Sequence, residues 1–243
     1  MCRAIRLGLF ALFLQSATPQ TQPDVAEILK KVGNTYKPVT QYEFVAEATV
    51  HEKAGEPPSV AHVVFAFKAP NKYRMQGALP GMLGKDAHLE DMLGIHDGST
   101  LWFYFAKLNQ YGSFAASELT DDAPGDLGDV SPKSMDSFMM GRFRSVGDHT
   151  GGSKFLREES IEIAGTKIAC YVCHVVIVSP DSGEYSFTWW IDKKRYRVLR
   201  EDSADSERVS TTVFSEIKLD EPLPEELFTF KPPPGARKLE ARP

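Results

Sequence analysis

The chain is poor in cysteine, with only three in 243 residues. Cys2 precedes an apolar N-terminal run, which leaves Cys170 and Cys173 for the rest. So few cysteines exclude a disulfide-stapled scaffold, and the lack of a second pair argues against a four-cysteine zinc site. Basic excess is missing as well. The 28 Lys and Arg are outnumbered by 33 Asp and Glu, for a formal net charge of −5, the wrong sign for nucleic acid. No apolar run reaches the ~20 residues that cross a bilayer as a helix. Metalloprotease, nucleophile-elbow, P-loop and dinucleotide motifs are all lacking, and the histidines at 51, 62, 88, 96, 149 and 174 are scattered. The sequence therefore predicts neither enzyme nor cofactor nor metal.

A globular core is present: 42% of residues are hydrophobic and 25% charged, as in a folded domain. Arg3 and Arg6, the run Leu7–Leu14 and the small residues Ser16–Thr18 follow the order of a cleavable secretory leader. The expected organisation is a signal peptide over 1–18, one domain over 19–243, and export to the periplasm.

Beyond the leader, Val25, Ile28, Leu29 and Val32 mark one face of a helix between Pro23 and Tyr36. The period then changes to two. Tyr42, Phe44, Ala46, Ala48 and Val50 alternate with polar neighbours and predict a half-buried strand. Further strands are predicted over 60–67, 72–76, 101–105, 110–114, 155–163, 167–178, 185–192, 196–202 and 209–219. Short turns join most of them, among them a type I′ hairpin at Asp97-Gly98. Short links favour antiparallel neighbours. Ser131-Pro132 opens a second helix carrying Met135, Phe138, Met139 and Phe143. Cys170 and Cys173 lie three apart on a strand, hence on opposite faces and ~10 Å apart, too far for a local disulfide. Trp189 and Trp190 must likewise face opposite sides, one inside and one at a rim.

Several strands are apolar on both faces, notably 60–67, 101–105, 168–178 and 185–191. Either both faces are covered, or one lines an apolar cavity. The predicted class is mainly β with two helices.

The segments Gln41-Tyr42-Glu43-Phe44, Ala69 to Arg74, Asp97 to Tyr104, Trp190 to Lys194 and Phe228-Thr229-Phe230 before Pro232-Pro233-Pro234 occur in an order that resembles the outer-membrane lipoprotein-sorting, or LolA-like, superfamily. The resemblance covers nearly all of the chain after the leader. It implies an open antiparallel half-barrel whose concave apolar face is closed by helices. It also implies a periplasmic carrier that shields lipid or lipoprotein acyl chains. An envelope sensor of the same fold, signalling to a membrane-protein partner, is the alternative. The stretch from Pro80 to Leu93 is extra relative to that pattern.

A cavity for varied acyl chains suits Met and Phe, because Met is flexible and adaptable. Six of the seven methionines lie between Met75 and Met140. The expected lining is Met135, Phe138, Met139 and Phe143 on the second helix, facing Phe44, Phe65, Trp102 and Tyr104 on the sheet. Leu79, Met82, Leu83, Leu89, Met92 and Leu93 are further contributors.

Overall fold

The computed structural model describes residues 22–52, 57–77, 92–118, 130–179, 183–206 and 208–239. The expected leader lies outside them, as do Leu79, Met82, Leu83 and Leu89. Helix α1 (Val25–Tyr36) begins where the Asp24 carboxylate accepts from the Ala26 N–H at 2.9 Å, satisfying one of the free donors at a helix start. It buries Ile28, Leu29, Val32 and Tyr36, the stripe set by the 3.6-residue period.

The strands are β1 (Gln41–Glu52), β2 (Ser59–Lys68), β3 (Lys72–Gln76), β4 (Met92–His96), β5 (Thr100–Phe105) and β6 (Gln110–Ala115), followed by helix α2 (Pro132–Ser145). Then come β7 (Lys154–Ile163), β8 (Thr166–Ser179), β9 (Gly183–Asp192), β10 (Val198–Ala204), β11 (Arg208–Leu219) and the short β12 (Arg237–Lys238). All twelve form one sheet in the order β12-β6-β5-β4-β3-β2-β1-β11-β10-β9-β8-β7. It is open, with β12 and β7 as its edges. Neighbours are antiparallel except β12, which runs parallel to β6. The pairing of β1 with β11 joins the two meanders.

Both helices cover one face, here the inner face. Tyr36 of α1 and Phe143 of α2 meet at 5.1 Å between ring centroids, and Phe143 also packs on Trp189 and Phe214. The helices approach closely through glycines: a Cβ on Gly147 would stand 3.1 Å from the Lys30 Cα, and one on Gly33 would stand 3.3 Å from the Gly147 N. Arg144 fixes the crossing. It donates to the carbonyls of Tyr36 and Val39 and to Asp136, which in turn accepts from the Tyr42 hydroxyl at 3.0 Å. A half-buried carboxylate–guanidinium pair whose remaining valences are hydrogen-bonded avoids most of the desolvation cost.

The outer face is covered in two places. Cys170, Val172, Trp190 and Leu199 form a small cluster there. The C-terminal segment lays Leu223 and Phe228 against Ala66, and Phe230 stacks on Trp102 at 5.4 Å. The segment is fastened by Glu225, which pairs with both Lys68 and Lys72.

Two sequence expectations need correction. Asp97-Gly98 does not make a two-residue type I′ turn, because only Gly98 has positive φ; His96 pairs with Leu101 across a four-residue loop. The Asp97 carboxylate closes that loop by accepting from Ser99, Thr100 and the Trp102 indole. Burial opposes its charge, but those hydrogen bonds outweigh it and hold the acid below its usual range. Trp190 is not at a rim: it is buried on the outer face, with the Arg200 guanidinium 4.2 Å from its ring centre and that of Arg157 at 5.8 Å. Cys170 and Cys173 are free and buried, and they do face opposite clusters.

Candidate functional site

Cross-strand register shows where the inner face is sealed and where it is open. One row runs Ala48–Thr212–Glu201–Trp189–Cys173 across β1, β11, β10, β9 and β8. Here α2 touches the sheet: the Glu201 carboxylate accepts from Arg142 Nε at 2.9 Å and from Trp189 Nε1 at 2.8 Å. The next row, two residues along, is Val50–Ser210–Ser203–Phe187–Val175. A trough of about 480 Å³ opens over it, lined by Ala48, Val50, Tyr185, Phe187, Ser203 and Ser210 among others. That volume lies in the range of small-molecule sites.

Small side chains make the trough. Alanine at 48 and serines at 203 and 210 leave room above the backbone where leucine or phenylalanine would fill it. The two serine hydroxyls bond each other at 2.7 Å, so they satisfy part of their own polarity and present less of it to a ligand. Tyr185 forms an aromatic wall and is 45% exposed. Arg208 and Asp205 pair at the mouth. An aromatic wall, the aliphatic Ala48 and Val50 and the self-paired hydroxyls form a strip that can hold an apolar chain, bordered by Thr212, Ser186 and the charged Glu184, Asp205 and Arg208.

The residues expected from the sequence divide. Phe44, Phe65, Met135, Met139 and Phe143 all lie in the buried inner-face cluster, where sheet and α2 meet. Met92 joins them. Trp102 and Tyr104 point the other way, to the outer face, where Phe230 covers them. The inner positions of β5 are Leu101, Phe103 and Phe105, because side chains alternate along a strand. Phe138 is not on the inner face of α2 and is 52% exposed. It stands one turn before Arg142, and the Arg142–Glu201 pair turns that edge of the helix toward the row that borders the trough. Sequence reasoning missed Tyr185, Phe187, Ser203 and Ser210 as lining residues. Their signal exists only in register, since four strand ends must align before the pattern of small residues becomes a space.

Among the described residues His96 and Asp192 are the buried polar or charged side chains, and both lie outside this region. His96 is 1% exposed, its Nδ1 lies 2.7 Å from the Asn71 carbonyl oxygen, and burial lowers its pKa. It stacks on Tyr73, on strands β3 and β4, away from the trough. Among the described residues no group of three or more His, Cys, Asp or Glu is placed to hold a metal ion.

No family model matches the chain. A curated relative, the uncharacterized protein MJ0687 of Methanocaldococcus jannaschii, is 24% identical over 237 residues, covering 96% of this chain; the chain spans 59% of that relative's length. Among solved structures, LprF from Mycobacterium bovis superposes with a TM-score of 0.54 at 13% identity, over 82% of this chain and 94% of that one. The LolA superfamily protein NE2245 from Nitrosomonas europaea aligns over 84% of this chain and 96% of its own at 16% identity, with a TM-score of 0.33. The open antiparallel meander with helices on its inner face superposes on LprF, so the chain shares that protein's fold: one open sheet covered on one face by helices.

Proposed function

We propose that the chain is a binding or carrier protein that holds an acyl chain, of a lipid or a lipoprotein, in the trough on its inner face. The observation that carries this reading is the change between adjacent rows of the sheet. In the Glu201 row α2 closes the Glu201–Trp189 end, whereas the Ala48–Thr212 end of that row and the Ser203–Ser210 row beside it are open and walled by the exposed ring of Tyr185. Each methylene buried there contributes about 0.8 kcal/mol, so part of an acyl chain is enough for reversible binding. A carrier must also release its load, and an open trough beside a packed core needs little rearrangement to do so.

This reading places the protein in the periplasm, exported through the leader at 1–18 and working as one domain over 19–243, without catalysis. Mass spectrometry of organic extracts from the purified protein tests it. Acyl-chain species should copurify in amounts comparable to the protein. Their absence, together with no saturable binding of a fluorescent fatty acid, would overturn the proposal.

A further inference from the structure

A second concavity, of about 420 Å³, lies at the opposite end of β9, β10 and β11. Its floor is apolar: Ile163, Ile168, Leu199 and Ile217 line it and pack against the outer-face cluster of Cys170, Val172 and Trp190. Its rim carries Arg195, Arg197 and Lys218. Lys218 is occupied by Glu43 at 2.7 Å. Arg197 spends one N–H on the Ile217 carbonyl at 2.8 Å, and neither it nor Arg195 meets a carboxylate among the described residues.

Two unneutralised guanidinium groups beside an apolar floor stand out in a chain of net charge −5. A guanidinium presents its donors as a planar fork that matches carboxylate and phosphate oxygens in pairs. Arg197 is half-buried and held in place by its bond to Ile217, so binding an anion orders little that is not already ordered. Two carboxylates also line the groove. Asp192 is buried and already accepts from the Lys194 N–H at 2.8 Å. Glu216 is exposed, so solvent and salt screen its repulsion.

We infer that this outer-face groove is a second ligand site, for an anionic amphiphile. Arg195 and Arg197 hold its phosphate or carboxylate headgroup, and the first part of its apolar tail lies on Ile163, Ile168, Leu199 and Ile217. The inference does not depend on the trough, which is on the other face. The headgroup can come from a free amphiphile or from an anionic lipid within a bilayer.

The test uses dodecyl phosphate below its micelle concentration, titrated calorimetrically into a Tyr185→Asp variant so that the trough does not contribute. Dodecyl maltoside, with the same tail and no charge, is the comparison. Binding of the phosphate should fall at least tenfold in Arg195→Gln/Arg197→Gln and weaken with salt, while the maltoside binds poorly throughout. Arg195→Gln alone guards against misfolding, since that side chain is exposed and makes no hydrogen bond or ion pair among the described residues, and it should lose part of the affinity at an unchanged melting temperature. Sedimentation with phosphatidylcholine vesicles, with and without phosphatidylglycerol, separates the sources. Arginine-dependent binding to the charged vesicles alone assigns the headgroup to a bilayer; arginine-dependent binding of the monomer assigns it to a free amphiphile. Equal affinity for phosphate and maltoside, affinity unaffected by the arginine substitutions, or binding in neither assay would overturn the inference.

Discussion

Arg142 of α2 donates to the Glu201 carboxylate of β10 at 2.9 Å, and that pair marks the line where the sheet passes from packed core to open trough. The same carboxylate accepts from the indole of fully buried Trp189. Glu201→Ala should therefore cost more than Arg142→Ala. The first leaves a buried donor without a partner and a guanidinium without its charge, for about 3 kcal/mol. The second leaves Glu201 still bonded to Trp189, for about 1–2 kcal/mol. Urea unfolding of the two variants gives the order directly, and a reversed order would remove Glu201 as the hinge of this contact.

Met139 and Phe138 are adjacent in sequence and opposite in consequence. Met139 is buried in the inner-face cluster, so Met139→Asp places an unpaired charge in the core at a cost of about 3 kcal/mol or more. Phe138→Asp alters an exposed ring that does not line the trough, and should change stability by less than about 0.5 kcal/mol and leave acyl-chain binding unchanged. Melting temperatures and probe affinities of the two single variants separate the roles; a large loss of stability in Phe138→Asp would contradict its placement.

The cysteines give a chemical check on the two faces of β8. Burial pushes the Cys173 thiol up to about 12, and burial, with Asp192 and Glu159 nearby, pushes Cys170 up to about 11. Both thiols are therefore neutral at pH 8, and the thiolate is the reactive form. Neither should react with a thiol reagent in the folded protein at pH 8, and both should react once it is denatured. A single disulfide between them would contradict the register of β8.

Acid should loosen the C-terminal segment. Lys68 and Lys72 hold the Glu225 carboxyl down to about 2. A depressed carboxylate pKa stabilises the folded form above the ordinary carboxylate range, and that contribution is lost as pH falls from about 4.5 toward 2. Trp102 reports on it, because its ring stacks on Phe230 of the same segment. Its emission should shift between those pH values in the parent and stay flat in Glu225→Gln, whose segment is already released from the lysines.

Much of this architecture is legible in the sequence where one face is polar. β1 shows its inner face through Tyr42, Phe44, Ala46 and Ala48, and the structure buries all four. The Ser131 cap and Pro132 start α2 where their chemistry says. Legibility ends where periodicity carries no information. Leu101 to Phe105 is apolar at every position, so nothing local tells Trp102 from Phe103, and the outer-face cover that accommodates Trp102 comes from Phe230, more than a hundred residues away. That cover is itself aperiodic, with Leu223, Phe228 and Phe230 set among prolines and acids. The trough is invisible for a third reason: Ala48, Ser203 and Ser210 are ordinary strand residues until three strands bring them side by side.

The central claim is that the open row beside Glu201 binds an acyl chain, and titration of a fluorescent fatty acid into the parent and into Tyr185→Asp tests it most directly. Tyr185 is 45% exposed, so the substitution should leave the melting temperature unchanged. With Arg195→Gln/Arg197→Gln placed in both chains so that the outer-face groove does not contribute, saturable one-to-one binding when Tyr185 is present, weakened at least tenfold by its substitution, is the result the trough predicts; no binding when Tyr185 is present, or equal binding without it, would contradict it.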